Sequence, residues 1–201
     1  MPRRICLATL ILVILLGAGN SSGRIVAIGD LHGDIEATRE AFRLAGAIDE
    51  SDRWIGGELV VVQTGDQLDR GDEERQILHL LDRLQAEAAA AGGAVHILNG
   101  NHELMNVRLD LRYVTEGGYA EFGELAAGAL RDSVLLSFPP EKRGRVAAFR
   151  PGGPYALMLA DQPIVLVLEE TVFVHGGVLP GHLEYGVDRI NEEVRAWILG
   201  H

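Results

Sequence analysis

The hydrophobic residues of the chain follow two patterns, short continuous runs and longer stretches with helical spacing. Three runs are rich in β-branched residues and do not alternate, as is typical of strands buried on both faces: RIVAI (24–28), ELVVVQT (58–64) and AVHIL (94–98). Between them, residues 34–46 and 72–93 carry apolar side chains at helical spacing. Strand, helix, strand, helix, strand predicts a parallel α/β core.

The two predicted helices have start and stop signals. Asp34 is a candidate N-cap of the first helix, and Gly46 can end it. The second helix is acidic in its first turn, as favours the positive end of the helix dipole. Its apolar stripe consists of Ile77, Leu80, Leu81 and Leu84.

The second half of the chain is less regular. Residues 137–154 are rich in Pro, Gly and Arg and are predicted to be loop. We expect 104–160 to form an insertion over a functional site. Residues 163–177 predict two strands around a turn at 169–170, and 188–199 predict a last helix.

The N-terminus has the order of a secretory signal peptide. Arg3 and Arg4 precede an apolar run at 5–16, and small residues follow up to residue 23. The run is shorter than the roughly 20 residues that a membrane-spanning helix needs. We therefore expect 1–23 to be removed and the protein to be periplasmic or secreted, with no stable membrane span. An uncleaved N-terminal anchor is the alternative.

Length and charge narrow the class of protein. A chain of 201 residues favours a single domain, which would be 24–201. The formal net charge is −11, and all 29 acidic but only 16 of the 18 basic residues lie beyond residue 23. This balance argues against a nucleic-acid-binding surface, which would need a basic stripe. It does not exclude a phosphorylated substrate, because a few local charges can dominate a site.

Four short polar stretches each follow a predicted strand. They are GDLHGD (29–34), GDQLDRG (65–71), GNHE (100–103) and HGG (175–177). Ligands of open α/β sheets bind at the carboxyl ends of the strands, so we expect the four stretches to meet in space.

The side chains in these stretches are metal ligands by type. Carboxylates, imidazoles and an amide oxygen suit a borderline divalent or trivalent metal. One ion would need only three or four of them, so the set indicates two metals that share Asp66. A shared carboxylate holds two ions about 3.5–4 Å apart, an arrangement that can clamp a phosphoryl group. The candidates are Asp30, His32, Asp66, Asn101 and His175.

In this order, the four stretches resemble the calcineurin-like metallophosphoesterase superfamily, and in particular its phosphoprotein phosphatase branch. The sequences GDQLDRGDEE (65–74), LNGNHELMN (98–106) and LRYVTEGGYAEF (111–122) are also similar to bacterial-type Shewanella-like protein phosphatases. The similarity covers about 24–180. It implies a four-layer α/β/β/α sandwich, whereas the hydrophobic pattern by itself supports only an α/β class.

The resemblance also implies roles for single residues. Asp30 and His32 would bind the first metal, Asp66 would bridge, and Asn101 and His175 would bind the second metal.

The same resemblance implies the catalytic groups. Arg70 would hold phosphate oxygens, and Asn101 would also bind the substrate phosphate. His102 would donate a proton to the leaving oxygen, and Asp69 would orient His102. Two alternatives remain open: Arg70 could pair with the acids at 72–73 on the surface, and Asp69 could cap the next helix.

The implied function is metal-dependent hydrolysis of phosphate monoesters, with phosphoproteins as the expected substrates and a metal-activated hydroxide as nucleophile. A nucleotide or diadenosine-polyphosphate hydrolase would share the motifs. A non-catalytic fragment that binds metal or phospho-ligands is an alternative of another class. Manganese is the expected metal, but Fe and Zn tolerate the same ligands. The sequence does not separate Ser/Thr from Tyr substrates.

The end of the chain raises a further expectation. The phosphatases that it resembles use one more metal-binding histidine and a second phosphate-binding arginine, well downstream of HGG. His182 and His201 do not follow predicted strands. We therefore expect a C-terminally truncated sandwich that binds the second metal weakly.

Overall fold

Three parallel strands form the sheet that carries most of the predicted site. The computed structural model describes residues 23–128 and 132–201. The strand order is β1–β2–β3, with Val60 opposite Ile25 on one side and Ala94 on the other. Each strand lies inside a predicted apolar run, so the parallel core is confirmed. The bounds are Ile25–Ile28 for β1, Val60–Gln63 for β2 and Ala94–Ile97 for β3.

Helices α1 (Ile35–Leu44) and α2 (Glu74–Ala90) connect these strands. The Asp34 carboxylate accepts a hydrogen bond from the Ala37 amide at 2.9 Å, so the predicted N-cap of α1 is confirmed. Burial of an aliphatic side chain contributes about 1.5–3 kcal/mol, and the α2 stripe therefore anchors that helix strongly. Its four predicted members are all buried in the main core: Ile77, Leu80, Leu81 and Leu84.

A second sheet follows later in the chain. Strands β4 and β5 form an antiparallel pair around the predicted turn, where Glu169 has a φ of 51°. In the part of the chain that the structure describes, these strands pair only with each other, and Val167 and Val172 are about half exposed. The fold is thus mixed α/β, with a parallel sheet and helices, as the sequence predicted. The later elements are β4 Val165–Leu168, β5 Thr171–Val174, α8 Pro180–Tyr185 and α9 Val187–Leu199.

The prediction of a loop at 137–154 is wrong, because this segment is largely helical. Pro140 begins a short 3₁₀ helix, and Gly153–Pro154 precede and open a further α-helix, positions that Pro tolerates well. Arg145, which looked like a loop residue, is completely buried. The helices of the region are α3 Asn101–Val107, α4 Glu116–Ala120, α5 Ser133–Leu136, α6 Arg143–Phe149 and α7 Pro154–Ala160.

The predicted export signal lies outside the described residues, apart from Gly23. Among the helices of the described part, none has both the length and the apolar character that a membrane crossing requires.

Candidate metal site and histidine–aspartate pair

The four polar stretches meet at one end of the parallel sheet. Those at 29–34, 65–71 and 100–103 follow β1, β2 and β3, and that at 175–177 follows β5 of the other sheet. The ligand atoms of Asp30, Asp66 and His175 lie within 4.8 Å of one another, as do those of His32, Asp66 and His102. The structure therefore brings together residues that are far apart in the sequence.

Asp66 lies at the centre of the site and is 3% exposed. Its Oδ1 accepts a hydrogen bond from the His102 amide at 3.0 Å, which fixes the carboxylate. Its Oδ2 lies 3.7 Å from Nε2 of His32 and 3.3 Å from Nε2 of His175. One oxygen atom thus faces both predicted metal positions and could bridge two ions.

The ligands predicted for the first metal fit an ion in their chemistry. Nδ1 of His32 donates to the Leu68 carbonyl at 2.9 Å, because a carbonyl can only accept. In the neutral imidazole, the lone pair available to a metal is then on Nε2, which lies 3.4 Å from Oδ2 of Asp30. A histidine held through its other nitrogen is the usual arrangement of a metal ligand.

The ligands predicted for the second metal also converge. Nε2 of His175 lies 3.0 Å from Oδ1 of Asn101, and Nδ1 of His175 lies 3.8 Å from Oδ1 of Asp30. An amide oxygen, an imidazole and the Asp66 carboxylate are a suitable donor set for a divalent metal.

His102 and Asp69 form a buried pair. Nδ1 of His102 donates to Oδ2 of Asp69 at 2.7 Å, and both side chains are almost inaccessible to solvent. Nε2 of His102 faces the site, 3.8 Å from Oδ2 of Asp66. This bond is the one expected if Asp69 orients His102. The spacing to Asp66 would equally allow His102 to be a metal ligand.

Arg70 points into the site and not at the neighbouring acids. Its Nη1 donates to Nε2 of His32 at 2.8 Å, and its Nη2 lies 3.3 Å from Nε2 of His102. In the described structure, its side chain contacts these two histidines and forms no ion pair with Asp72 or Glu73. A planar guanidinium between two histidines is placed to engage phosphate oxygens.

The site stores backbone strain that the sequence did not reveal. His32, Asp66, Asp69 and Arg70 all have positive φ, between 46° and 71°. Left-handed backbone at a residue other than Gly costs on the order of 1–3 kcal/mol and persists where the surroundings impose it. A Cβ at Gly100 would lie 2.3 Å from Oδ1 of Asp66, so only glycine fits there.

Glu103 holds this strained loop in place, a role that the sequence analysis missed. The side chain is fully buried and accepts backbone hydrogen bonds from Gly100, Asp66, Gln67 and Leu68 at 2.7–3.1 Å. Burial, with the nearby Asp66 carboxylate, raises the pKa of Glu103 to about 7, and the amide donors oppose that rise. An acidic residue in the first turn of a helix after a strand is the only signal that could have suggested it.

Tyr113 was also missed and connects 104–160 to the site. Its ring centroid lies 5.1 Å from that of His102, and its carbonyl accepts from the Arg70 amide at 3.1 Å. The prediction that 104–160 is an insertion stays a prediction, but this part of it contacts the catalytic candidates.

An open cavity of about 670 Å³ adjoins the site. His32 and Arg70 lie on its wall, so it leads directly to the candidate metal ligands. The rest of the lining includes four acidic residues, namely Asp34, Asp72, Glu73 and Glu116.

Comparison with known proteins places the chain in a family. The sequence model of the calcineurin-like phosphoesterases matches residues 23–201. The chain belongs to this family. A dinuclear divalent metal site is the family's arrangement, and this phosphoesterase has candidate ligands for it.

Two curated relatives of the phosphoesterase are named as phosphatases. Shewanella-like protein phosphatase 2 of Arabidopsis thaliana is 48% identical over 88% of the chain and 52% of its own length. Shewanella-like protein phosphatase 1 of Plasmodium berghei is 31% identical over 88% of the chain and 45% of its own length.

A solved structure agrees with the fold. The cold-active protein-tyrosine phosphatase of a psychrophilic Shewanella species is 26% identical, has a TM-score of 0.64, and aligns over 87% of this chain and 48% of its own. The chain thus spans about half the length of the relatives that it matches.

Proposed function

We propose that this chain provides a metal-dependent phosphohydrolase site that hydrolyses phosphate monoesters. The observation that carries the proposal is the position of Asp66, which is buried, fixed through Oδ1, and turned with Oδ2 toward both His32 and His175. A carboxylate in this position can serve two ions at once.

The candidate ligands fall into two groups, one for each metal ion. Asp30 and His32 would hold one ion, Asn101 and His175 the other, with Asp66 shared. When bound, two divalent ions supply charge that stabilises a phosphoryl group and favours attack by water. We propose manganese, with iron or zinc as the alternatives that the same ligands tolerate.

Arg70 and His102 would act on the substrate. The Arg70 guanidinium can donate two parallel hydrogen bonds to phosphoryl oxygens, and Asn101 would also contact the phosphate. Nε2 of His102 faces the site and would deliver a proton to the leaving oxygen, while Asp69 holds Nδ1 at 2.7 Å.

Phosphoproteins are the substrates that we propose. The support is that two curated relatives carry the name protein phosphatase and that the cavity beside Arg70 is open to solvent. The acidic lining would favour a phosphorylated residue with basic neighbours.

The test is a substrate panel with manganese-loaded protein. Phosphotyrosine and phosphoserine peptides are compared with ATP and a diadenosine polyphosphate, each with an Asp66→Asn control. The proposal is supported if the wild-type protein hydrolyses phosphopeptides and the Asp66→Asn variant does not. A preference for the nucleotides would indicate a nucleotide hydrolase, and metal binding without any turnover would indicate a non-catalytic binding fragment.

We also propose that the protein is exported. The support is the order of a basic start, the apolar run at 5–16 and small residues before residue 24. N-terminal sequencing of the protein from the producing cells should find a start near 20–24. An intact N-terminus on protein recovered from the cytosol would contradict export.

A further inference from the structure

Arg145 of α6 lies completely buried behind the His102–Asp69 pair. Its Nη2 donates to Oδ1 of Asp69 at 3.1 Å, and its Nε donates to Oδ1 of Asn106 at 2.8 Å. The Asn106 amide in turn donates to the same Oδ1 of Asp69 at 3.0 Å. Oδ1 of Asp69 therefore receives two donors, and Oδ2 is left for His102.

The same arginine also supports the backbone of Asp69. Its Nη1 pairs with Oε2 of Glu74, and Oε1 of Glu74 accepts from the Asp69 amide at 2.5 Å. Asp69 has a φ of 67°, a strained value that needs such support. Burial raises the pKa of the Glu74 carboxyl, and the Arg145 guanidinium opposes that shift.

We propose that Arg145 is a positioning residue for the predicted proton donor: it fixes the rotamer and backbone of Asp69 so that Oδ2 holds Nδ1 of His102 and Nε2 faces the leaving group. This role rests on the proposed phosphohydrolase function. In the described structure, Arg145 bonds to none of the candidate metal ligands and does not line the cavity. It therefore acts through Asp69 and through Asn106, whose amide also donates to the His102 carbonyl at 3.0 Å.

Charge explains why an arginine is used here. Asp69 and Glu74 are two fully buried carboxylates whose residues are in direct hydrogen-bond contact. Without a buried cation, two adjacent carboxylates cannot both stay ionised at low cost. A guanidinium can serve both acids and Asn106 together, because it carries five donors in one plane. Lysine, with a single nitrogen, cannot reproduce that fork.

A purely structural role for Arg145 is the competing explanation. Its guanidinium carbon lies 5.3 Å from the Phe122 ring centroid and 4.9 Å from that of Phe149, so it also packs against two buried aromatic rings. A role limited to packing would lower stability and leave the geometry of His102 unchanged in whatever fraction of the protein remains folded.

The decisive measurement is the imidazole of His102 in the metal-free protein by nuclear magnetic resonance. The variants are Arg145→Met and Arg145→Lys, with ¹⁵N-labelled histidine and the signal assigned by its loss in His102→Asn. In the wild type, the Nδ1 proton should give a low-field resonance that exchanges slowly with water. In Arg145→Met, its exchange should accelerate roughly 10–100-fold, the factor for losing a hydrogen bond to a charged group.

The control is Arg75→Met. Arg75 also links α2 to a later segment, through the Glu121 carbonyl and the Glu124 carboxylate, but it bonds to neither Asp69 nor His102 in the described structure. Its removal should leave the His102 resonance unchanged. Should Arg145→Met fail to fold, Arg145→Lys carries the test, because it keeps the charge and loses the fork.

A second readout uses turnover. In manganese-loaded protein, Arg145→Lys should lower kcat on phenyl phosphate roughly 10–100-fold, lower it far less on nitrophenyl phosphate, and leave KM unchanged. Cooperative unfolding must be verified for each variant.

The two proposals fail in different ways. A folded Arg145 variant with the wild-type His102 resonance overturns the positioning role, whether or not the enzyme is active. A responsive resonance in a protein that hydrolyses no phosphate ester upholds the positioning of His102 by Arg145 and overturns the phosphohydrolase function.

Discussion

Asp66 and His175 face each other from two different sheets: Oδ2 of Asp66 lies 3.3 Å from Nε2 of His175. Asp66 follows β2 of the parallel sheet, and His175 follows β5 of the antiparallel pair. The candidate metal site therefore joins the two halves of the described fold. Its integrity depends on how the hairpin is held against the core, as well as on each loop.

Asp66→Asn should remove most of the bound metal from both positions. The substitution keeps Oδ1 for the His102 amide but replaces the proposed bridging oxygen by a neutral NH₂ group, so both ions would lose a charged ligand. Elemental analysis of purified protein measures this directly. Asp34→Asn, at the N-cap of α1 in the first polar stretch, is the matched control and should keep its metal. Undiminished metal in Asp66→Asn would refute the two-metal assignment.

His102→Asn should retain metal but lose roughly 10²–10⁴-fold in turnover on a phosphate ester with a poor leaving group. The loss should be smaller for nitrophenyl phosphate, because its leaving oxygen needs little protonation. Parallel metal analysis separates the two possible roles. Loss of metal together with activity would make His102 a ligand, as its 3.8 Å distance to Asp66 also permits.

Much of the site could be predicted because its parts sit at strand ends. The runs that became β1, β2 and β3 are short, apolar and β-branched, and parallel strands bring their carboxyl ends to one edge. The sequence alone thus predicts that three ligands lie close together, namely Asp30, Asp66 and Asn101. His175 could be placed as well, because the turn at Glu169–Glu170 divides its segment into two strands.

The supporting residues could not be predicted, because their partners are remote in sequence. Arg145 looked like part of a loop among Pro and Gly, and only its pairing with Asp69 and Glu74 makes its burial tolerable. Glutamate is rarely buried without partners, and the four backbone donors that surround Glu103 come mostly from a segment remote in sequence. Local sequence patterns indicate helical or strand periodicity and helix caps. The hydrogen-bond networks of Arg145 and Glu103 depend on tertiary contacts, which such patterns do not indicate.

Glu103→Gln should lower the free energy of unfolding by about 2–3 kcal/mol. An amide can offer one oxygen to backbone donors, and its NH₂ group would face the remaining donors without a partner. Urea denaturation of metal-free protein measures the change. Glu36→Gln, on the exposed face of α1, should change stability by less than about 0.5 kcal/mol. Equal stability of wild type and Glu103→Gln would show that the hydrogen bonds from the backbone amides to Glu103 are not stabilising.

Arg70→Ala should weaken phosphate binding while leaving the metal content intact. The guanidinium lies between His32 and His102 and can reach phosphoryl oxygens, but it belongs to neither group of candidate ligands. Loss of charged hydrogen bonds should raise the inhibition constant for inorganic phosphate roughly 10–100-fold. Arg70→Lys should recover only part of this, because an ammonium cannot bind two oxygens in one plane. Arg112→Ala is the control, since Arg112 pairs with Asp110 on the surface. The measurement is competition by inorganic phosphate against nitrophenyl phosphate at saturating manganese.

If inorganic phosphate inhibited Arg70→Ala and Arg112→Ala equally, Arg70 would have no part in holding phosphate. Its interaction with His32 and His102 would then be a purely structural contact.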